Sequence, residues 1–326
     1  MRASIVAGIA IAAVSFTVWA ESPSGGAGIQ LRQVRSAASN PSPRGYLQAL
    51  IRAYPGRVTD LQYHQGDWSI RVDGRRVYWA EGRLMSERTR SAWENFDPLR
   101  FYNYQPYDYE IRPVSPERAE RIRAIVSDMA RDPPRRHNAF LGRLYGFLTE
   151  GEAAEHMVWV DFLNVQTQVH RYIAPVIRSA DRQLQRLMVE DDELLRFVNS
   201  LWRVDGFNFR PIAATESLSF HAFGAAIDLI PAASRRTYAY WRWAMDAGVD
   251  SWWELEQDER WPVPEVLITV LENHGFVWGG KWTFFDTMHF EYRPELMILA
   301  GYDPILPQAG RSRRAGGLAS LTGTAR

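Results

Sequence analysis

The sequence contains no cysteine. A disulfide framework, a thiolate zinc site, a thiol nucleophile and a lipid-modified cysteine are therefore all excluded. If the chain binds a transition metal, histidine, aspartate and glutamate side chains have to supply the strong ligands.

An excess of either charge is also lacking, because 38 basic residues balance 38 acidic residues and the net charge is zero. This balance gives no reason to expect a polyanionic partner, so we predict no binding of nucleic acid. The 13 tryptophans are many for 326 residues. Most of them should lie in the core, although the rims of sugar- or peptide-binding clefts also use such rings.

The amino-terminal segment is typical of an export signal. Arg2 precedes an apolar run over residues 5–18, and the tripeptide that ends at Ala20 resembles a small-residue cleavage site. We predict a signal peptide over residues 1–20 and an exported protein, periplasmic or extracellular, without membrane contact after cleavage. The alternative is an uncleaved membrane anchor, because the apolar run nearly reaches spanning length.

Turn and cap signals predict several elements in the first half of the chain. Asp73-Gly74 lies between two β-rich runs and predicts a hairpin. Ser115-Pro116 predicts the start of an amphipathic helix, with Ser as the cap and Pro in the first turn. This half therefore combines strands and helices.

Further along, helices are predicted from capping and from apolar spacing. Thr149 with Glu152 three residues later forms a capping box, and we expect its helix to run toward His170. The apolar residues between positions 175 and 203 predict one broken helix or two helices that include Trp202.

A first polar cluster lies in a small, apolar stretch, "SFHAFGAAIDLI", in which His221 and Asp228 are seven residues apart. Burial of an unpaired charge is costly, so these two groups either hydrogen-bond to each other or flank a cation. Seven is an odd spacing, and one regular strand would point the two side chains to opposite faces. Because Gly224 offers a break, we expect His221 on a turn and Asp228 on the strand that follows.

A second polar cluster occurs about sixty residues later, in "TFFDTMHFEY". His289 and Glu291 share one face of a predicted strand, and Asp286 precedes that strand. Two imidazoles and one carboxylate suit a catalytic zinc that keeps its fourth position for water. A spare carboxylate such as Asp286 could accept a proton from that water. Composition alone leaves open the alternative that each histidine is structural.

The two clusters together resemble the zinc D-alanyl-D-alanine carboxypeptidase family, which includes VanY-type carboxypeptidases and L-alanyl-D-glutamate endolysins. The first segment, from Ser219 to Asp228, has the pattern S-x-H-x-x-G-x-A-x-D. The second, from Gly275 to Glu291, reads "GFVWGGKWTFFDTMHFE". The resemblance covers roughly residues 175–303. The first part of the chain carries none of the family's motifs.

The resemblance implies an α+β fold with a small antiparallel sheet that bears a zinc site and has flanking helices (D-Ala-D-Ala carboxypeptidase/Hedgehog-like). The strands and helices predicted ahead of it form an extra N-terminal α/β region. We therefore divide the chain into a signal peptide (1–20), a flexible linker (21–44), an N-terminal α/β region of unknown role (45–174), a zinc peptidase domain (175–305) and a disordered tail (306–326).

The resemblance also implies roles for individual residues. It makes His221, Asp228 and His289 the ligands of one zinc ion per chain. It places Asp286 at the position of the family's catalytic acid/base, where some relatives have the longer glutamate.

Three further residues take roles from the same resemblance. Arg210 matches an arginine that contacts substrate or the developing oxyanion; the alternative is a surface arginine. Ser219 would be a substrate-side or supporting hydroxyl, and Glu291 would orient a ligand.

The expected function is zinc-dependent hydrolysis of peptidoglycan stem peptides by a D-alanyl-D-alanine carboxypeptidase. One alternative is cleavage between L-Ala and D-Glu, and the residues around 234–262 are a candidate wall that would decide between them. A second alternative is a non-catalytic, zinc-stabilised wall-binding module. Asp286 argues against the module, because a pure binder needs no acid/base.

Overall fold

The computed structural model describes residues 30–31, 33–34, 41–213, 215–232 and 237–308. The predicted signal peptide, most of the predicted linker and most of the predicted tail lie outside these ranges. The described chain has an α+β fold with small antiparallel sheets, as the sequence predicts. Within the same ranges, no helix is long and apolar enough to cross a membrane.

The first part of the fold is a helix packed on a four-stranded antiparallel meander. Its elements are α1 (Pro43–Ala53), β1 (Val58–His64), β2 (Asp67–Val72), β3 (Arg75–Ala80) and β4 (Arg83–Met85). The predicted hairpin is confirmed, since Asp73 and Gly74 join β2 to β3 with φ values of 48° and 74°. Two successive positive φ values are typical of the tight turn that Asp-Gly favours.

Helices and a second hairpin follow. They are α2 (Pro116–Arg131), α3 (Ala139–Tyr145), α4 (Glu150–Ala153), β5 (Met157–Phe162) and β6 (Val165–His170). The cap of α2 is confirmed, because the Ser115 hydroxyl accepts a hydrogen bond from the amide of Arg118 at 3.3 Å.

The predicted helix toward His170 is wrong beyond its first turn. The capping box of Thr149 and Glu152 is present, but α4 spans four residues and the chain then forms the β5–β6 hairpin. Leu163 and Asn164 close that hairpin with φ values of 52° and 64°. The β-branched and aromatic residues on both sides of this turn favour strands.

The second part of the fold holds a sheet with the strand order β7-β8-β10-β9. Its elements are α5 (Ala174–Leu187), α6 (Asp192–Asn199), β7 (Leu201–Asp205), β8 (Ala226–Pro231), α7 (Trp241–Asp246), α8 (Glu265–Asn273), β9 (Phe276–Trp278), β10 (His289–Tyr292) and α9 (Pro294–Leu299). The two helices between positions 175 and 203 are confirmed. The prediction that Trp202 belongs to a helix is wrong, because it lies in β7, which pairs with β8.

The largest hydrophobic core joins both parts of the chain. It runs from Leu47 in α1 to Ile298 in α9. Polar contacts cross the same boundary, since the Tyr54 hydroxyl donates to the buried Glu295 carboxylate at 2.8 Å. The amide of Trp278 donates to the Tyr104 hydroxyl at 3.0 Å. The N-terminal region therefore supports the sheet that carries the polar clusters.

Candidate metal centre

The pairing of β8 with β10 places Asp228 directly opposite His289. His221 reaches them from the single turn of 3-10 helix over Phe220–Phe223. That turn ends at Gly224, whose φ is 59°. A Cβ atom at this position would lie 2.6 Å from the amide nitrogen of His170, so both the conformation and the space require glycine. The predicted turn-then-strand arrangement is confirmed.

His221, Asp228 and His289 converge in a buried cluster. The Asp228 Oδ1 atom lies 3.1 Å from His221 Nε2 and 2.8 Å from His289 Nδ1. The two ring nitrogens lie 3.2 Å apart. One potential ligand atom from each residue lies within 4.8 Å of the others, a geometry that could hold a metal ion.

The remaining ring nitrogen of each histidine has its own partner. His221 Nδ1 lies 2.6 Å from the carbonyl oxygen of Gly206. A carbonyl only accepts, so this nitrogen carries the proton and Nε2 is left facing Asp228. His289 Nε2 lies 3.4 Å from a Glu291 oxygen, so its Nδ1 faces the cluster. Both rings are thus oriented as metal-binding histidines usually are.

The electrostatics of the cluster favour a positive charge. Burial acts to lower the pKa of His289, but hydrogen bonds to Asp228 and Glu291 outweigh it and raise that pKa to about 10. Burial acts to raise the pKa of Asp228, yet the charge and hydrogen bond of His221 and those of His289 bring it well below its usual range. In the absence of a metal, the Asp228 and Glu291 carboxylates therefore stabilise a proton on the His289 ring, and the same negative charge would favour a bound metal cation.

A buried ion-pair chain extends from His289 toward the N-terminal region. Glu291 accepts a hydrogen bond from Arg293 Nη1 at 3.2 Å, and Arg293 also pairs with Glu295. The second Nη atom of Arg293 donates to the carbonyl oxygen of Arg100 at 2.8 Å. Burial acts to raise the pKa of Glu291, but the His289 hydrogen bond and the Arg293 charge hold it below its usual value. Glu291 is thus a fixed, ionised acceptor.

Asp286 lies at the edge of the cluster, in the loop that enters β10. Its amide donates to the carbonyl oxygen of Gly279 at 3.0 Å, and it forms an isolated antiparallel bridge with Tyr240. Its Oδ1 atom is buried and has no hydrogen-bond partner among the described residues. Burial, followed by the charge of Asp228, raises the pKa of Asp286 from 3.8 to about 7.

Arg210 and Ser219 flank the cluster without joining it. Arg210 follows β7, and its guanidinium donates to the carbonyl oxygen of Pro211 at 3.4 Å. Burial is the main cause of the raised pKa of Asp286, and the positive charge of Arg210 acts in the opposite direction and lowers it. The Ser219 hydroxyl accepts a hydrogen bond from the amide of His221 at 3.2 Å, and so caps the turn that carries this histidine.

Sequence reasoning missed three supporting groups. The Gly206 carbonyl carries no sequence signal, because a main-chain acceptor is available at every position. Arg293 had a signal in its two acidic neighbours, Glu291 and Glu295, each two positions away, although β10 ends before Arg293 and Glu295 lies in α9. Trp282 also adjoins the cluster, with its ring 5.5 Å from that of His289, and it donates to the Tyr102 hydroxyl at 2.9 Å.

The predicted wall contributes to the position of Asp286. Its first residues, 234–236, lie outside the described ranges. Beyond them, the amide of Trp241 donates to the carbonyl oxygen of Phe285 at 3.0 Å. Trp241, Trp252 and Phe285 belong to a separate aromatic cluster, which α2 completes with Ile122. The predicted wall therefore packs against the loop that carries Asp286.

Comparisons with known proteins agree with this location of the site. Residues 213–292 match a family model described as D-alanyl-D-alanine carboxypeptidase. Residues 46–101 match a model described as a domain of unknown function. No curated protein and no solved structure matches the chain. The first match includes the three clustered residues and Asp286, so this part of the chain is similar to a peptidase domain and the cluster is its candidate metal centre.

Proposed function

We propose that the protein is an exported, zinc-dependent peptidase that acts on peptidoglycan stem peptides as a D-alanyl-D-alanine carboxypeptidase. The observation that carries this proposal is the convergence of His221, Asp228 and His289 within 4.8 Å, beside the unpartnered carboxylate oxygen of Asp286. We also propose residues 175–305 as the peptidase domain, with the D-Ala-D-Ala carboxypeptidase/Hedgehog-like fold.

The donor set fits zinc. Two imidazoles and one carboxylate form an open catalytic set, which leaves a position for water or substrate. The hydrogen bonds of His221 to Gly206 and of His289 to Glu291 hold both rings in the required orientation. When bound, zinc would polarise the scissile carbonyl and lower the pKa of a coordinated water.

Asp286 is the proposed acid/base. A general base works best when its pKa is close to the operating pH, and the pKa of about 7 meets this requirement. Its buried oxygen would take the proton of the attacking water and return it to the leaving amine. Arg210 would hold a substrate carboxylate or the developing oxyanion by charge-assisted hydrogen bonds.

Two alternatives make different use of the same site. An L-alanyl-D-glutamate endopeptidase would use the same residues and differ in how the cleft ends beyond the scissile bond. A zinc-stabilised wall-binding module would need the three ligands but not Asp286. A carboxylate oxygen that is buried without a hydrogen-bond partner, as Asp286 Oδ1 is, is costly, and catalysis supplies a reason to retain it.

Product analysis tests the proposal. The purified protein is incubated with peptidoglycan and zinc, and the products are identified by mass spectrometry. Release of free D-Ala is expected. New N-terminal D-Glu or C-terminal L-Ala would instead identify the endopeptidase, and the absence of any product would favour the binding module.

A further inference from the structure

A groove of about 340 Å³ lies at one end of the N-terminal sheet. Four aromatic side chains line it, namely those of Tyr63, Trp68, Trp79 and Trp93. Tyr63 is 65% exposed, and its ring meets that of Trp68 edge-on, with the centroids 5.5 Å apart. Aromatic rings gathered around a concave surface are a common feature of ligand sites.

The groove lies beside the first turn of α1, where Tyr46 stacks on Trp79 and the Arg44 guanidinium lies over Trp68. Side chains two residues apart share a strand face, so Trp68 lies on the face of the buried Ile70, and Trp79 on that of the buried Val77. Helix α1 packs on β1 and β2 but begins only at Pro43, which itself lines the groove. The two tryptophans therefore pack partly against α1 and also line the groove.

Polar groups lie beside the rings. Asp67 and Arg90 form an ion pair at 2.9 Å, and the Arg90 guanidinium stacks over Tyr78 at 4.4 Å from the ring centroid. Glu81 adds a second carboxylate from the turn between β3 and β4. One ion pair and one extra carboxylate give the lining a slight negative charge, which disfavours a phosphate polymer.

We propose that this groove binds a glycan, and that the glycan is the polysaccharide strand that bears the stem peptides. The choice of strand rests on the proposed function, whereas sugar binding itself does not. A pyranose ring has apolar C–H faces that stack on aromatic rings, which combine a large apolar surface with a polar edge. Its hydroxyls are donors and acceptors, and the carboxylates and the guanidinium of the lining match both.

An extended peptide is the other ligand class that aromatic grooves accept. Strands β2 and β3, which carry Trp68 and Trp79, are paired on both sides, and in this sheet β1 and β4 are the edge strands. Beside the two tryptophans the sheet therefore offers no free ladder to a peptide backbone. A sugar needs only side-chain partners, which Asp67, Arg90 and Glu81 provide, so the observations favour the glycan.

Binding to peptide-free glycan strands, prepared from peptidoglycan by amidase treatment, tests the proposal in the full-length mature protein. Tyr63→Ala and Trp93→Ala are the test variants, because neither side chain belongs to the hydrophobic clusters of the described chain. We expect wild-type binding by calorimetry, and affinity at least about tenfold weaker in each variant, as is typical when a central aromatic contact is removed. Trp159→Ala is the matched control, since this residue on β5 is 61% exposed and distant in sequence from the groove.

Failure to bind the peptide-free strands would overturn the proposal, as would equal affinity in the wild type and both variants. Binding of a proline-rich peptide in place of the strands would assign the groove to peptides instead. Hydrolysis of a free stem peptide by the wild type is measured separately. If hydrolysis is absent while glycan binding depends on Tyr63 and Trp93, the proposed peptidase function fails and the groove assignment stands.

Discussion

Replacement of Asp286 by asparagine should stabilise the metal-free protein while it removes activity. The folded protein keeps the Asp286 carboxyl protonated up to a pH of about 7, whereas the unfolded chain releases this proton near its ordinary pKa of 3.8. Between these two values the folded state binds more protons than the unfolded state. The contribution of Asp286 to the free energy of unfolding therefore falls as the pH rises from about 4 to 7, and it stays low above that range.

The size of the effect follows from the shift in pKa. Each pKa unit corresponds to about 1.4 kcal/mol. A rise from 3.8 to about 7 therefore means that the charged carboxylate lowers the free energy of unfolding by at most roughly 4 kcal/mol. Asp286→Asn recovers only part of this cost, because the side chain is partly exposed and the new amide also needs partners. We expect the variant to be about 1–3 kcal/mol more stable at pH 8 and equal to the wild type near pH 4.

Urea denaturation in EDTA at both pH values measures the stability difference, and Asp246→Asn, at an exposed aspartate on α7, serves as the control. With zinc restored, turnover of Asp286→Asn should fall by about 10²–10⁴-fold, the usual contribution of a positioned general base. A variant that is less stable than the wild type at pH 8, or that shows the same difference at both pH values, would refute the electrostatic argument. Loss of zinc from the variant would make Asp286 a ligand and require a new role for Asp228.

Four other predictions concern the remaining site and the signal. His221→Ala and His289→Ala should each lose most bound zinc by metal analysis, and full occupancy in either variant would remove that residue from the ligand set. Arg210→Ala should keep zinc and the fold but lose about 10²-fold or more in kcat/KM. Wild-type kinetics in this variant would show that Arg210 is a surface arginine without a role in catalysis. Glu291→Gln should weaken zinc binding by about 10–100-fold in a competition assay with a chelator, and unchanged affinity would show that it does not orient His289. N-terminal sequencing of the exported protein should begin after Ala20, whereas an intact Met1 in a membrane fraction would indicate an anchor.

Short patterns in the sequence predicted the turns and helix caps, because these depend on interactions between residues that are close in the chain. The Asp73-Gly74 turn and the Ser115 cap are made by neighbouring residues, and both are present. The turn before β8 was predictable for the same reason, since Gly224 relieves a clash that any other residue would create. The capping box at Thr149 was also correct, but a cap specifies only where a helix starts, and the length of that helix was wrong.

The resemblance carried by the two motif segments pointed to His221, Asp228 and His289, which the pairing of β8 with β10 and the turn before β8 bring together. Only the tertiary structure decided the environment of these groups. The pKa of Asp286 depends on burial by distant segments and on the charge of Asp228. The aromatic groove likewise depends on where α1 begins relative to the strands. Burial and long-range charge are sums over residues far apart in the chain, and no local pattern contains them.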